Sequence, residues 1–244
     1  MALSEAEAKT KLTRILSDPS SVATYSKLPE THNGKLLNVD IVRLLLDEYK
    51  TKEGASLYTR ATHGPASEWV KKQFNERLLE EPHGPVLMLA GGGGSGKSTM
   101  SKIALVQDFQ DAELIVDGVM SDFGRTYRRI DDTIASGRKV KYVYIYVPYA
   151  IASIRVARRA QETGRNIPSL ILAENHVGAQ ETFLALLMRY KTTGEVSLTI
   201  YDNSGPRPKR MCIADLKAQR YAKGEESPAQ AVERLLSTPG REIQ

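Results

Sequence analysis

The sequence predicts an α/β protein: a three-layer fold around a mostly parallel sheet of four to five strands, preceded by a helical N-terminal extension. Three observations predict it. Short apolar runs alternate with segments of helical period from residue 86 onward, the pattern of a parallel sheet covered on both faces. One of those runs leads straight into a glycine-rich loop and a helix. The first eighty residues carry helical spacing instead of strand-like alternation.

Composition narrows the class. A chain of 244 residues holds one domain or two small ones, and 41% hydrophobic with 26% charged residues is ordinary for a globular protein. The net charge of +5 suits anionic ligands without singling out nucleic acid. A single cysteine, Cys212, excludes an intramolecular disulfide and a cysteine zinc cluster, and its neighbours Met211 and Ile213 predict a buried thiol. No run of 18 apolar residues marks a membrane span, and the N-terminus lacks the apolar core of a signal peptide, so a cytoplasmic protein without membrane contact is expected.

The elements follow in order. Ser4 and Glu7 have the spacing of a capping box at the start of a first helix. "NVDIVRLLLDEY" places Val39, Val42, Leu45 and Leu46 on one helical face, and Asn38 and Asp40 before it read as caps that could also line an acceptor site. "PASEWVKKQFNERLLEE" places Trp69, Phe74 and Leu78 on a helix with Pro65 in its first turn, ended by the turn at 81–85. Strands are predicted at 86–90, 112–118, 139–148 and 195–203, and helices at 97–109, from a cap at Ser121 or Asp122 to Gly137, at 150–163 and at 168–191. "GPRPKR" reads as a loop, and the tail holds a further helix or two. Three regions result: a helical region over 1–80 packed on the core, a core over 81–205 with an arginine lid around 150–166, and a helical tail over 206–244.

Residues Gly91 to Ser98 fit G-x-x-x-x-G-K-[ST] in full, between a strand and a helix. A polyphosphate lying against backbone N–H groups needs side chains absent where the loop wraps it. The helix that follows points its N-terminal N–H groups at the phosphates. The loop Gly92, Gly93, Gly94, Ser95 and Gly96 is therefore the expected nucleotide cradle, with Lys97 on the β- and γ-phosphates, Ser98 on Mg²⁺ and Thr99 near the α-phosphate. ATP and Mg²⁺ are the expected cofactors.

Asp117 ends the apolar run "ELIVD", 20 positions after Lys97, where a carboxylate can hold the metal or take a proton from an acceptor hydroxyl. Asp122, close by, is a helix cap that could also meet substrate. "ASIRVARRAQETGRNIP" carries Arg155, Arg158, Arg159 and Arg165 on a helix and the turn after it, a lid that could bring guanidinium groups to a phosphoryl group in transfer. Arg159 and Arg165 are the leading candidates for that role, Arg158 a nucleotide contact and Arg155 a substrate contact. His176 follows the lid, where it could touch substrate, although packing is the plainer reading, as it is for His63. Asn203 follows the last strand, where a nucleotide base often sits in this architecture. Tyr142, Tyr144, Tyr146 and Tyr149 read as packing residues.

Taken together, "LAGGGGSGKST", "IVDGVMSDF", "ARRAQETGRNIP", "ENH" and "IYDNSG" occur in an order that resembles the zeta toxin-type P-loop kinases. "LNVDIVRLLLDEY" and "THGPASEW" resemble the leader region of bacterial zeta-like proteins, so the likeness covers residues 36 to 205. The resemblance implies a P-loop kinase-like fold and ATP-dependent phosphorylation of a small-molecule hydroxyl, typically on a UDP-linked amino sugar such as UDP-N-acetylglucosamine. It implies a toxin role with an antitoxin protein as partner. By position, Lys97 and Ser98 match the phosphate and Mg²⁺ residues, and Arg159 (or Arg158) and Arg165 the lid arginines. Asp117 has the spacing of the family's catalytic aspartate but the motif of a later strand whose acid binds the sugar. The family usually has two strand–helix units between the P-loop helix and the strand placed here at 139–148; in this chain one fits. Two other readings stay open: a nucleic-acid or nucleotide kinase or NTPase, and a non-catalytic ATP-binding regulator.

Overall fold

The computed structural model describes residues 2–80, 84–190, 192–221 and 228–237. The chain opens with α1 (Glu5–Ser17), closed at its start by the Ser4–Glu7 capping box, and α2 (Ser20–Ser26). A short strand, β1 (Leu36–Asn38), comes next, followed by α3 (Val39–Val42) and two 3₁₀ turns at Arg43–Leu45 and Asp47–Lys50. The continuous helix expected over this stretch is thus broken. Leu46 is extended and fully buried between the two turns, so core burial fixes the backbone here over helical period.

The helix expected from Pro65 is longer than its sequence signal. α4 runs Lys52–Leu78 with Pro65 inside it, capped by the Thr51 hydroxyl, which accepts from Gly54 N–H. Its buried stripe, Ala55, Tyr58, Thr62, Ala66, Trp69, Val70 and Phe74, runs unbroken through the proline. Burial of that stripe offsets the lost N–H bond at Pro65. Arg138, 4% exposed, closes the end of α4 by donating to the carbonyls of Arg77 and Leu78, and beyond them to Glu80 and Gly84. Residues 81–83 of the expected turn lie outside the described residues.

From there strands and helices alternate: β2 (Val86–Ala90), α5 (Lys97–Ile103), α6 (Val106–Asp111), β3 (Leu114–Asp117), α7 (Phe123–Ala135), β4 (Val140–Tyr146), α8 (Tyr149–Thr163), α9 (Ser169–Tyr190), β5 (Val196–Asp202), β6 (Lys209–Arg210), α10 (Ile213–Ala218) and α11 (Pro228–Ser237). The helix expected at 97–109 is two helices, because the chain turns at Ala104 and Leu105 to bury Leu105 completely. Asp122 caps α7, accepting from Arg125 N–H at 2.8 Å, and Gly137 past its end takes φ +80°. Cys212, expected to be buried, is exposed: its sulfur caps α10 by accepting from Asp215 N–H.

The sheet has six strands in the order β1-β3-β2-β4-β5-β6, parallel except for the antiparallel pair β5–β6. The two strands beyond the expected set are the short edges, at 36–38 and 209–210. β1 pairs with β3 in the register Asn38 to Asp117. The N-terminal region is therefore part of the sheet as well as packed on it. The place beyond β3, for which the stretch after the P-loop helix supplies no strand, is filled by a strand that comes before the P-loop.

Alternation along β2 divides the core. Val86, Met88 and Ala90 face one hydrophobic cluster with Trp69, Phe74, Tyr142, Tyr144 and Phe183, while Leu87 and Leu89 face the other with Met100, Leu105 and Ile145. Tyr142 and Tyr144 are fully buried, as packing residues. The result is the three-layer P-loop kinase-like arrangement. The chain leaves β2 toward β3 on one side and returns to β4 on the other, so a crevice opens at the carboxyl end of β2.

Candidate active site

β2 delivers the chain into the loop at Gly91, and the loop is braced from three directions. Gly94 and Gly96 take φ +74° and +87°, left-handed values that glycine adopts without a Cβ penalty. The Asn203 side chain, just past β5, donates to Ser95 O at 2.8 Å. Arg155 on α8 donates to Gly94 O at 3.3 Å and to Asn203 O at 2.9 Å. His176 on α9 lies under the loop, 1% exposed, with Nε2 2.8 Å from Gly93 O and Nδ1 3.3 Å from the Tyr221 hydroxyl. The structure thus places Asn203, Arg155 and His176 as supports of the loop itself.

The loop ends in α5, whose first turn carries Lys97 and the exposed Ser98 and Thr99. Lys97 donates to Gly91 O at 2.6 Å and stands 3.8 Å from Asp117 Oδ1. Asn38 at the end of β1 donates to Asp117 Oδ2 at 2.8 Å. Three adjacent strand ends therefore converge on one carboxylate. Asp117 Oδ1 is buried without a hydrogen-bond partner. Burial pushes the Asp117 carboxyl up, against the opposing pull of Lys97 and Asn38, and burial pulls the Lys97 ammonium down.

A second carboxylate faces the first. Asn38 caps α3 by accepting from the N–H groups of Asp40 and Ile41, which leaves the Asp40 side chain to other partners. Asp40 pairs with Arg43 at 2.5 Å and with Arg165. Burial alone would raise its pKa; Arg165, Arg43 and Arg159 overcome that and hold the carboxyl below its usual range. Arg43 is itself 3% exposed and also contacts His63 Nδ1 at 2.9 Å. Arg159 and Arg165 press on each other electrostatically, and the Nε of each is buried without a hydrogen-bond partner. Arg158 points away: it is exposed and its nearest carboxylate is Glu162 at 3.7 Å. Asp122 is exposed and engaged as a cap.

Of the expected site residues, the fold brings Lys97, Asp117, Arg159 and Arg165 into one electrostatic group, at the mouth of the loop. It adds Arg43, and it joins to them Asn38 and Asp40, which read as caps that could also line an acceptor site. The sequence signal for the addition was a D-x-x-R spacing, Asp40 to Arg43, two residues after Asn38, which reads equally well as helix capping. Four cations meet two carboxylates in this group, so an incoming polyanion would relieve repulsion. The donor set also fits Mg²⁺: a buried carboxylate oxygen without a hydrogen-bond partner and a hydroxyl in the first turn of the helix after the loop leave the remaining positions to water and phosphate, as this ion prefers. Among the described residues no group of three or more His, Cys, Asp or Glu could hold a metal by itself. A cavity of about 1020 Å³ lies elsewhere, between α7, α9 and α11, and no residue of the loop lines it. Among the described residues no helix is long and apolar enough to cross a membrane.

Comparison with known proteins gives a family match and likenesses to solved structures. Residues 109–207 match the family model described as zeta toxin. The comparison with curated proteins gives no match. The crystal structure of the AvrRxo1-ORF1:-ORF2 complex in native form is similar at 12% identity and TM-score 0.47, over 71% of this chain and 84% of that one. The AvrRxo1-ORF1:AvrRxo1-ORF2 crystal structure with sulphate ions is similar at 12% identity and TM-score 0.45, over 92% and 91%. The family match begins after the P-loop and takes in β3, the arginine lid and β5. The likeness to the zeta toxin family is thus carried by residues 109–207.

Proposed function

We propose that the protein is a P-loop phosphotransferase that moves the γ-phosphoryl group of ATP to a hydroxyl of a small molecule, with a UDP-N-acetyl amino sugar as the acceptor class that the family resemblance suggests. The observation that carries this reading is the convergence of Lys97, Asp117, Arg159 and Arg165 at the carboxyl end of the sheet, next to a braced glycine loop.

The loop amides from Gly92 to Gly96 and the start of α5 bind the polyphosphate, and Lys97 offers its ammonium to the β- and γ-phosphates. Ser98 and Asp117 would hold Mg²⁺, which supplies charge neutralisation on the phosphates when bound. Arg159 and Arg165 lie where α8 and the turn after it meet the N-terminal segment, and their guanidinium groups stabilise charge spread over the phosphoryl oxygens in transfer. Asp117 and Asp40 are the two carboxylates at hand to orient the acceptor hydroxyl and take its proton. Asp117 is the deeper one and faces the lysine; Asp40 is half-buried and faces the lid. Three regions at 1–80, 81–205 and 206–244, an antitoxin partner and a cytoplasmic setting belong to the same reading.

The test is incubation with γ-labelled ATP, Mg²⁺ and a panel of acceptors that includes UDP-N-acetylglucosamine, mononucleotides and oligonucleotides. Label on the amino sugar supports the reading. Label on an oligonucleotide end replaces it with a nucleic-acid kinase, and ATP binding without transfer to any acceptor replaces it with a regulator.

A further inference from the structure

We propose that His176 is a positioning residue for the phosphate-binding loop: its ring fills the space left by the missing side chain of Gly92, and its Nε2–H holds the Gly93 carbonyl turned away from the phosphate side. The inference deepens the phosphotransfer reading above and rests on it.

Two independent features of the geometry support it. First, Gly92 does not have a left-handed φ, so its backbone would tolerate any residue. What bars a side chain there is His176, since a Cβ on Gly92 would overlap Cδ2 and Nε2 of the imidazole. The glycine at this position is thus required from below the loop by the histidine. Second, Gly93 O can only accept, so the histidine proton facing it sits on Nε2 at 2.8 Å. The Tyr221 hydroxyl gives its one proton to Val147 O, just past β4, so Nδ1 of the neutral ring, 3.3 Å from that oxygen, rests against it in packing contact. Tyr149 and Tyr221 both stand edge-on to the ring, with centroids 6.0 and 5.7 Å away. The imidazole is therefore clamped on its own account, and its hold on the loop is rigid. With the Gly93 carbonyl drawn down onto α9, the loop N–H groups are left to converge on an anion.

The test measures affinity for a fluorescent ATP analogue with Mg²⁺, and unfolding temperature on the same samples, for the full chain and its Gly92→Ala, His176→Ala, His176→Gln and paired variants. His176→Ala is expected to weaken binding about tenfold, the worth of one buried hydrogen bond and its geometry. His176→Gln, which can still donate to Gly93 O, should stay within about threefold. Gly92→Ala should cost roughly tenfold or more alone, yet under about twofold when His176 is already Ala, because neighbours that share a clash are not additive. If His176→Ala does not fold, the same rescue is read with His176→Gln, whose amide can yield to the added methyl. Equal costs of Gly92→Ala in both backgrounds would overturn the inference and show a histidine that serves stability alone, with the nucleotide site intact. Failure of the wild-type protein to bind the analogue would overturn the phosphotransfer reading, and this inference with it.

Discussion

Replacing Lys97 should damage the fold as well as nucleotide binding, because the lysine is one half of a buried pair. Lys97 Nζ and Asp117 Oδ1 are 3.8 Å apart, with side chains 14% and 10% exposed. At an effective dielectric of about 20, two unit charges at that distance attract by about 4 kcal/mol. In Lys97→Met the carboxylate stays in place, held by Asn38, but loses its nearest cation. Breaking a buried pair from one side costs about 3–5 kcal/mol, and residual exposure lowers this to about 2–4 kcal/mol here. Asp117→Asn leaves the lysine stranded at a similar cost. The double variant removes both charges and should cost less than the two singles combined, by about 2–4 kcal/mol. Urea unfolding followed by circular dichroism, without nucleotide, measures all four corners of this cycle. For a chain of this size each kcal/mol moves Tm by about 2–4 °C, so the coupling is readable by melting too. Additivity within about 0.5 kcal/mol would refute the reasoning and place the two side chains in solvent-screened positions.

Other expectations concern the lid, acid stability and the sheet's support. Arg159→Ala should lower turnover by roughly 10³-fold, as loss of a charge-stabilising arginine does, while the exposed Arg158→Ala should change it little; steady-state kinetics with the identified acceptor decides. Burial pushes His176 down to about 4 from 6.5, so between those values the unfolded chain holds a proton that the native chain refuses. The contribution of this histidine to stability should therefore be constant above pH 6.5 and be lost as pH drops toward 4, by about 3 kcal/mol, so the slope should shrink in His176→Gln when both proteins are unfolded in urea across that range. Arg138→Ala strips the carbonyls at the end of α4 of their donor and should cost about 2–4 kcal/mol with no change in nucleotide affinity.

The site was partly legible in the sequence because a phosphate-binding loop is a local device. Its glycines, lysine and serine are consecutive, and the strand before it is a run of five apolar residues with no competing period. The arginine helix and the cap at Asp122 were equally local. Legibility failed where burial overrode local preference. Pro65 reads as a helix start, yet the buried stripe from Ala55 to Phe74 carries the helix through it. The Leu44–Leu46 run reads as helix, yet Leu46 is buried from an extended backbone. Cys212, between apolar neighbours, ended on the surface as a cap.

By itself the sequence determined that this chain builds a nucleotide-type loop at the end of a buried parallel strand, since those properties depend on neighbours along the chain. Only the tertiary structure decided that residues 36–38 form the sheet edge beside β3, in register with Asp117. Strand pairing is set by which edge is open and which apolar face needs cover, and neither is written in a three-residue segment. That pairing brings Asn38 and Asp40 to a lysine and a lid far away in sequence. It turns residues that read as caps into one wall of the site.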